Sequence, residues 1–325
     1  MPTTIPVVTS VVPERAVGRG RVTLHGSGFD VNDLSEVLLG EVPARIAFAS
    51  SHRLVITIPD DMEGGRAAVS LGGATLAHVS IGAAWATGLH QVDNPVFDRD
   101  GNLYVTYSGS RGQEAPVSIF RVTRGGTREP FASGIVNATS MALGPDGRLY
   151  VSSRFEGSVY RIAADGTPEQ VAADLGVACG IAFDDEGWMY VGDRSGTIFR
   201  VRDGRASAFV SLPPSVAAFH LAMGPGGDLH VTAPTLGTYD PIFRIDRHGQ
   251  ITTIASSLGR PQGIAFGPGG VLHVIDALAG SSGLHVLRPD GSFDPVVAGS
   301  TLIGVAFGPG GELVVASNET AYRFD

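Results

Sequence analysis

One short pattern recurs through most of the chain. An apolar run, a tight turn ending in glycine and a second apolar run form Asn94-Pro-Val-Phe-Asp-Arg-Asp-Gly-Asn-Leu-Tyr-Val105. The pattern returns as Ser140-Met-Ala-Leu-Gly-Pro-Asp-Gly-Arg-Leu-Tyr-Val151 and as Gly180-Ile-Ala-Phe-Asp-Asp-Glu-Gly-Trp-Met-Tyr-Val191. Three further copies cover residues 220–231, 263–274 and 304–315. The turn glycines Gly101, Gly147, Gly187, Gly227, Gly270 and Gly311 are spaced 46, 40, 40, 43 and 41 residues apart. A repeat of this kind cannot bury its apolar face alone, so copies must stack; a period of about 40–45 residues is that of a four-stranded propeller blade.

Each copy has room for two more strands. The third carries aromatic–Arg–aliphatic, as in Phe120-Arg121-Val122, Tyr160-Arg161-Ile162, Phe199-Arg200-Val201, Phe243-Arg244-Ile245 and Tyr322-Arg323-Phe324; copy five departs with His285-Val286-Leu287. Alternation puts the arginine on the face opposite the two apolar residues, so these arginines read as structural. A fourth strand follows, as in Phe131-Ala-Ser133. The sixth copy has only three strands, but Trp85-Ala86-Thr87-Gly88-Leu89 matches Phe131-Ala132-Ser133-Gly134-Ile135 and precedes the first copy. The expectation is a six-bladed propeller that takes the outer strand of its last blade from the segment before its first, leaving no free edge between them.

Residues 1–82 lack the repeat. They read as short strands over residues 7–12, 21–25, 36–39, 45–49, 54–58 and 67–71, separated by Gly or Pro turns, the pattern of a β-sandwich. The fold class is therefore all-β, with a sandwich over 1–82 and a propeller over 83–325. With no long linker near residue 82, the sandwich is expected to be removable without changing what the propeller binds.

The net charge of −9 argues against nucleic acid and anionic membrane surfaces as partners. All 23 basic residues are arginine, which excludes lysine chemistry. No apolar run reaches membrane-spanning length, and Met1 to Ser10 has neither a basic nor an apolar leader segment; a soluble, cytoplasmic monomer is expected. Cys179 is the single cysteine, so no intrachain disulfide can form. The glycine-rich turns lack phosphate-loop spacing.

Two resemblances rest on these residues. Pro6-Val-Val-Thr-Ser-Val-Val-Pro13, Gly20-Arg-Val-Thr-Leu-His-Gly-Ser-Gly-Phe29, Val37-Leu-Leu-Gly40 and Val55-Ile-Thr-Ile-Pro59 resemble the IPT/TIG immunoglobulin-like domain. That likeness implies a seven-stranded sandwich used as a spacer or interaction module. Residues 83–325 resemble the NHL and SMP-30/gluconolactonase group of six-bladed propellers. That resemblance implies a divalent cation held by oxygen ligands at the starts of inner strands, where it polarises a lactone carbonyl or activates water. The equivalent positions here are Asp93, Thr139, Cys179, Phe219, Gln262 and Ile303. Asp93-Asn94-Pro95-Val96 is similar to the family's Glu-Gly-Pro-Val, and Pro261-Gln262-Gly263 to its Pro-Asp-Gly, so at most one carboxylate of the ligand set survives.

The candidate site is the channel mouth ringed by these strand starts and by the ends of the second strands. A cation (Ca²⁺, Mg²⁺, Mn²⁺ or Zn²⁺) would touch Asp93, and Asp193 and Asp276, at second-strand ends, could join it. The alternative for both is capping of loop amides. His220 stands where three other copies have glycine and could act as a general base or fill space beside Phe219. Arg154 and Arg194 follow two neighbouring second strands and could bind a carboxylate or sugar acid, or be a solvated pair. Three functions stay open: recognition of a small polar ligand, carbohydrate or peptide; a metal-dependent lactonase; and an interaction protein using sandwich and rim loops. The binding or interaction reading ranks ahead of hydrolysis because the ligand set is broken.

Overall fold

A hairpin this tight needs a left-handed residue at its end, and the repeat supplies it. In the computed structural model, which describes residues 6–31, 36–277 and 282–324, the six turn glycines have φ between 72° and 91°, a region that penalises any Cβ. Asp98 shows the rest of the turn chemistry. Its carboxylate accepts the backbone N–H groups of Asp100 and Asn102 at 2.9 and 2.8 Å and the Tyr104 hydroxyl at 3.2 Å.

Each repeat folds into a four-stranded antiparallel blade. In blade two the strands are Ala138–Leu143, Leu149–Ser153, Ser158–Ile162 and Pro168–Ala172, from the channel outwards. Each inner strand packs on the next, and the first, Val96–Phe97, lies against both the second and the sixth, Leu302–Phe307. Aromatic pairs stitch adjacent blades: Tyr150 on Phe183, His230 on Phe266 and His273 on Phe307, with ring centroids 4.8, 4.9 and 4.8 Å apart. The third-strand arginines serve the scaffold. Arg121 pairs with Glu129 at 2.7 Å, Arg161 with Glu169 at 2.6 Å, and Arg200 lies 4.4 Å from the Trp188 ring centroid.

Blade six takes its outer strand from the segment that precedes blade one. Ala83–Thr87 pairs antiparallel with Thr320–Phe324, with Ala84 opposite Tyr322 and Thr87 opposite Thr320. Trp85 covers the seam, 5.8 Å from the Phe97 ring of blade one and stacked under Arg323.

The N-terminal residues form two sheets. One has the order Val7–Val12, Arg21–Ser27, Arg53–Thr57, Arg45–Ser50; the other runs Ala74–Ile81, Gly65–Leu71, Val37–Leu39, Val42–Pro43. Val22, Leu24, Leu54, Ile56, Val69 and Val79 fill the space between them. All six strands read from the sequence are present, and Ala74–Ile81 is an additional long one.

The boundary at residue 82 divides the chain but not the hydrogen bonding. A two-residue strand, Arg15–Ala16, lies parallel to the last sandwich strand on one side and to the outer strand of blade five, Phe293–Ala298, on the other. Blade five and one sandwich sheet thus become a single nine-stranded sheet. The cores interlock as well. Ala298 of blade five packs in the sandwich core, and Val17 packs in the core between blades five and six. Val17 N–H donates to Ala298 O at 2.9 Å, and a Cβ on Gly20 would come within 2.4 Å of the same oxygen. The sandwich is therefore hydrogen-bonded into the propeller and covers the outer edge of blade five.

Gly20→Ala is expected to force the backbone of blade five aside and to lower stability by about 1–3 kcal/mol, the usual range for overpacking a tight contact. In a denaturant melt the sandwich and propeller signals should shift together. An unchanged propeller midpoint would show that the shared sheet carries no load. Removing residues 1–90 should destabilise the propeller more than removing 1–81, since only the longer deletion also strips blade six of its outer strand. Differential scanning calorimetry of the two truncations decides this.

Candidate functional site

The second residue of each inner-strand start decides how closely neighbouring backbones meet. Glycine at 180, 263 and 304 leaves that space to a neighbour: a Cβ would sit 2.5 Å from Phe219 O, 2.3 Å from Asn94 Oδ1 and 2.7 Å from Asp93 O, respectively. Asn94 fills its space with a bridge, donating to Ile264 O at 2.9 Å and accepting from Val305 N–H at 2.9 Å. Ser152 donates to Cys179 O at 2.6 Å, and Thr232 to Gln262 O at 2.5 Å, so side chains of the second strands tie blade two to blade three and blade four to blade five.

His220 occupies the same position in blade four, and its ring enters the channel. Nδ1 lies 2.5 Å from Asp93 Oδ1 of blade one, on the opposite side of the ring, and Nε2 lies 3.3 Å from Gln262 Oε1 of blade five. Three expected site residues from three blades therefore meet. Two arrangements satisfy the geometry. An imidazolium donates from both nitrogens, or a neutral ring donates from Nδ1 and accepts at Nε2 from a rotated Gln262 amide. Asp93 Oδ1 also accepts the Asn94 N–H at 2.7 Å, and the buried Gln91 donates to Asp93 O at 2.6 Å. His220 and Asp93 are 0% and 2% exposed, whereas Gln262 is 9% exposed. The pair is a cross-channel tie, and Gln262 is the least buried of the three. A general base needs a nitrogen that substrate can reach. Both His220 nitrogens are engaged below the surface, so the expected catalytic role has no open atom here.

The other expected carboxylates are committed elsewhere. Asp193 accepts the Val177 N–H at 2.8 Å and the Ser195 hydroxyl; Asp276 accepts the N–H groups of Gly259 and Arg260 at 3.2 and 2.8 Å. They cap loops at the mouth, the second of the two readings their positions allowed. Part of the blade-five loop beside Asp276, residues 278–281, lies outside the described residues. Among the described residues no three His, Cys, Asp or Glu side chains gather as a metal group. One carboxylate already held by a histidine and a backbone amide is a poor donor set for a hard divalent cation, and the residues around Asp93 do not fit one.

Arg154 follows the buried Ser153, whose Oγ donates to Val136 O at 2.5 Å and accepts the Glu156 N–H, fixing the turn. The Arg154 guanidinium is half-buried. Burial holds it below the ordinary arginine value, and repulsion from Arg194 and Arg111 adds to this, while the Cys179 thiol opposes it. His90 is likewise lowered, by burial and then by Arg154. Burial pushes the Cys179 thiol up to about 12, which makes it an inert filler of the inner wall. Arg194 donates to Val216 O at 3.1 Å. Arg111 sits on a loop clasped by the buried Asn137, which donates to Ser108 O and Ser110 O at 2.6 and 2.9 Å and accepts the Gly112 N–H at 2.7 Å.

Comparing equivalent positions between copies singles out His220, Gln262, Arg154 and Arg194 but misses Asn94, Asn137, Arg111 and His90. Asn94 departs from the glycine of three copies just as His220 does, and that signal was available. Nothing in the repeat marks Asn137 or the loop it clasps.

An immunoglobulin-like sandwich joined edge to edge with a six-bladed propeller, with a polar tie across one channel mouth, is the class that fold and site define. Residues 6–82 match the IPT/TIG domain, and residues 180–201 match the N-terminal part of strictosidine synthase-like proteins. No curated protein matches the chain in sequence. Among solved structures, a putative gluconolactonase superposes with a TM-score of 0.60 at 19% identity, over 74% of this chain and 90% of its own. An auxiliary nutrient binding protein from Bacteroides ovatus superposes at 0.57 and 15% identity over 100% and 99% of the two chains. A catalytically inactive virginiamycin B lyase from Staphylococcus aureus, bound to quinupristin, does so at 0.55 and 15% identity over 98% and 97%. These likenesses concern the fold.

The tie generates a double-mutant cycle. Asp93→Ala or His220→Ala alone should cost about 3–5 kcal/mol, because each leaves a buried polar partner unmatched. The double variant should cost clearly less than the sum, with coupling above about 1 kcal/mol. Additive losses in urea melts would show that the contact contributes nothing to stability.

Proposed function

We infer that the protein is a small-molecule-binding propeller whose ligand, a polar compound, enters the channel mouth where the inner strands begin. The observation that carries this is the meeting of Asp93, His220 and Gln262 from three blades, with Gln262 the least buried of the three. Its amide nitrogen has no partner among the described residues in the orientation observed, and it offers donors to a ligand above a floor that is otherwise satisfied. The mouth also differs from blade to blade in residue type and loop length, whereas the opposite face repeats the same glycine turn; specificity accumulates on variable loops over a rigid scaffold. The net charge of −9 supports a small ligand over nucleic acid. The nutrient-binding neighbour is consistent with such a role.

The competing reading, a lactonase acting through a divalent cation at Asp93, rests on the Asp93-Asn94-Pro95-Val96 likeness. The engagement of Asp93 by His220 weighs against it.

Calorimetric titration with neutral sugars, sugar acids and their lactones tests both. At least one compound should bind saturably. Its affinity should fall about five- to tenfold in Gln262→Leu, the value of one hydrogen bond, and stay unchanged in Asp203→Asn on the opposite face. Binding indifferent to Gln262 but sensitive to Asp203 would refute the placement. Stoichiometric uptake of Ca²⁺, Mg²⁺, Mn²⁺ or Zn²⁺ with opening of gluconolactone would replace the binding reading by the lactonase one.

A further inference from the structure

We propose that the groove between the sandwich and blade five docks an extended acidic peptide segment, one that carries two carboxylates four residues apart and an apolar residue midway. The groove encloses about 680 Å³ between the outward face of one sandwich sheet and the outer strands of blade five. Asp93, His220 and Gln262 do not line it, so the proposal stands apart from the channel-mouth reading.

The sandwich wall follows from strand alternation. Val22 and Leu24 fill the sandwich core, so Arg21, Thr23 and His25 share the outward face of their strand. The adjacent strand sets Thr57, Val55 and Arg53 opposite them in that order. The wall is thus basic at both ends, with Arg21 at one and His25 beside Arg53 at the other, about 13 Å away at the rise of a strand. Thr23 and Val55 lie between. Arg53 stacks on Phe48, its Cζ 4.4 Å from the ring centroid. Stacking holds the guanidinium plane and leaves its edge N–H donors open to a carboxylate.

No aspartate or glutamate lines the groove among the described residues. The carboxylates nearby are already matched. Asp60 pairs with Arg19 at 3.0 Å, and Asp294, between the groove residues Phe293 and Pro295, pairs with Arg288. Arg21 and Arg53 have no carboxylate within ion-pair distance among the described residues. On a chain of net charge −9, this is a face that calls for an acidic partner.

The opposite wall holds a second unmatched group. Five blades carry Phe or Tyr at the start of the third-strand motif, and blade five carries His285. This ring lines the groove at 8% exposure. Its Nδ1 donates to Gly283 O at 3.2 Å, which leaves Nε2 a largely buried acceptor with no partner among the described residues. Burial holds the ring below the ordinary histidine value against the pull of Asp276, which favours the neutral form. A peptide N–H is the donor that such a nitrogen lacks. In an extended segment, residues i, i+2 and i+4 fall on one face at the same rise as the strand Arg21–Ser27. An acidic–x–apolar–x–acidic segment therefore sets its carboxylates at Arg21 and Arg53 and its apolar side chain at Val55.

The test is fluorescence anisotropy with the full chain and a dye-labelled peptide, Gly-Glu-Thr-Leu-Thr-Glu-Gly, at low ionic strength. The peptide should bind saturably. Arg21→Met and Arg53→Met should each weaken it about five- to tenfold, the loss of one charge-assisted contact. His285→Phe, which restores the residue type of the other blades, should weaken it as well while leaving the melting midpoint in place. Moving the second glutamate one position closer puts the two carboxylates on opposite faces and should cost a similar factor; lysine in place of both glutamates should abolish binding. Absence of saturable binding overturns the proposal, as does equal binding of the shifted or lysine peptide, or indifference to both arginine variants. Polygalacturonate that binds more tightly with the same dependence on Arg21 and Arg53 would give the groove to an acidic polysaccharide and overturn the peptide assignment. Self-association in analytical ultracentrifugation that Arg53→Met abolishes would give it to a second copy of the chain, with the same consequence.

Discussion

Six strands must begin within reach of one another around a single axis, and their backbones then compete for the same space. The residue at the second place of each start resolves that competition. Where it is glycine, as at 180, 263 and 304, the neighbouring blade moves in until a Cβ would not fit. Where it is not, the side chain has to work as a bridge, and Asn94 and His220 are the results. The same crowding that sets blade spacing therefore builds the polar floor of the channel. A blade that departs from glycine here alters the scaffold and the site in one step.

The architecture was largely legible because its signals are local and periodic. Turn glycines forced to positive φ announce the hairpins, and the likeness of Trp85–Leu89 to an outer strand locates the missing member of blade six. Arg15–Ala16 was not legible. Two residues have no periodicity, and a parallel pairing that joins residue 16 to residue 298 leaves no mark in either segment. At the site, comparison of equivalent positions picked out Asp93, His220 and Gln262 one by one. It could not reveal that they touch, since Asp93 and His220 belong to opposite blades and a repeat aligns copies without saying which of them face each other. That Asp93 is already engaged was hidden for the same reason: the carboxylate's partner is 127 residues away.

Charge at the mouth is arranged in depth. The lower layer holds Asp93 and His220, hydrogen-bonded to each other out of solvent contact, and the loop-capping Asp193 and Asp276 accept from backbone amides. The upper layer holds arginines with no acidic counterpart at Arg154.

The nine-stranded sheet fixes direction as well as stability. A sandwich hung on a flexible tether would wobble, and the propeller would present its channel at every angle. With Arg15–Ala16 hydrogen-bonded on both sides, turning one part against the other means shearing two ladders at once. The two parts tumble as one particle, and the channel axis keeps a constant bearing to the sandwich. Whatever surface the sandwich rests on, the channel mouth points the same way from it.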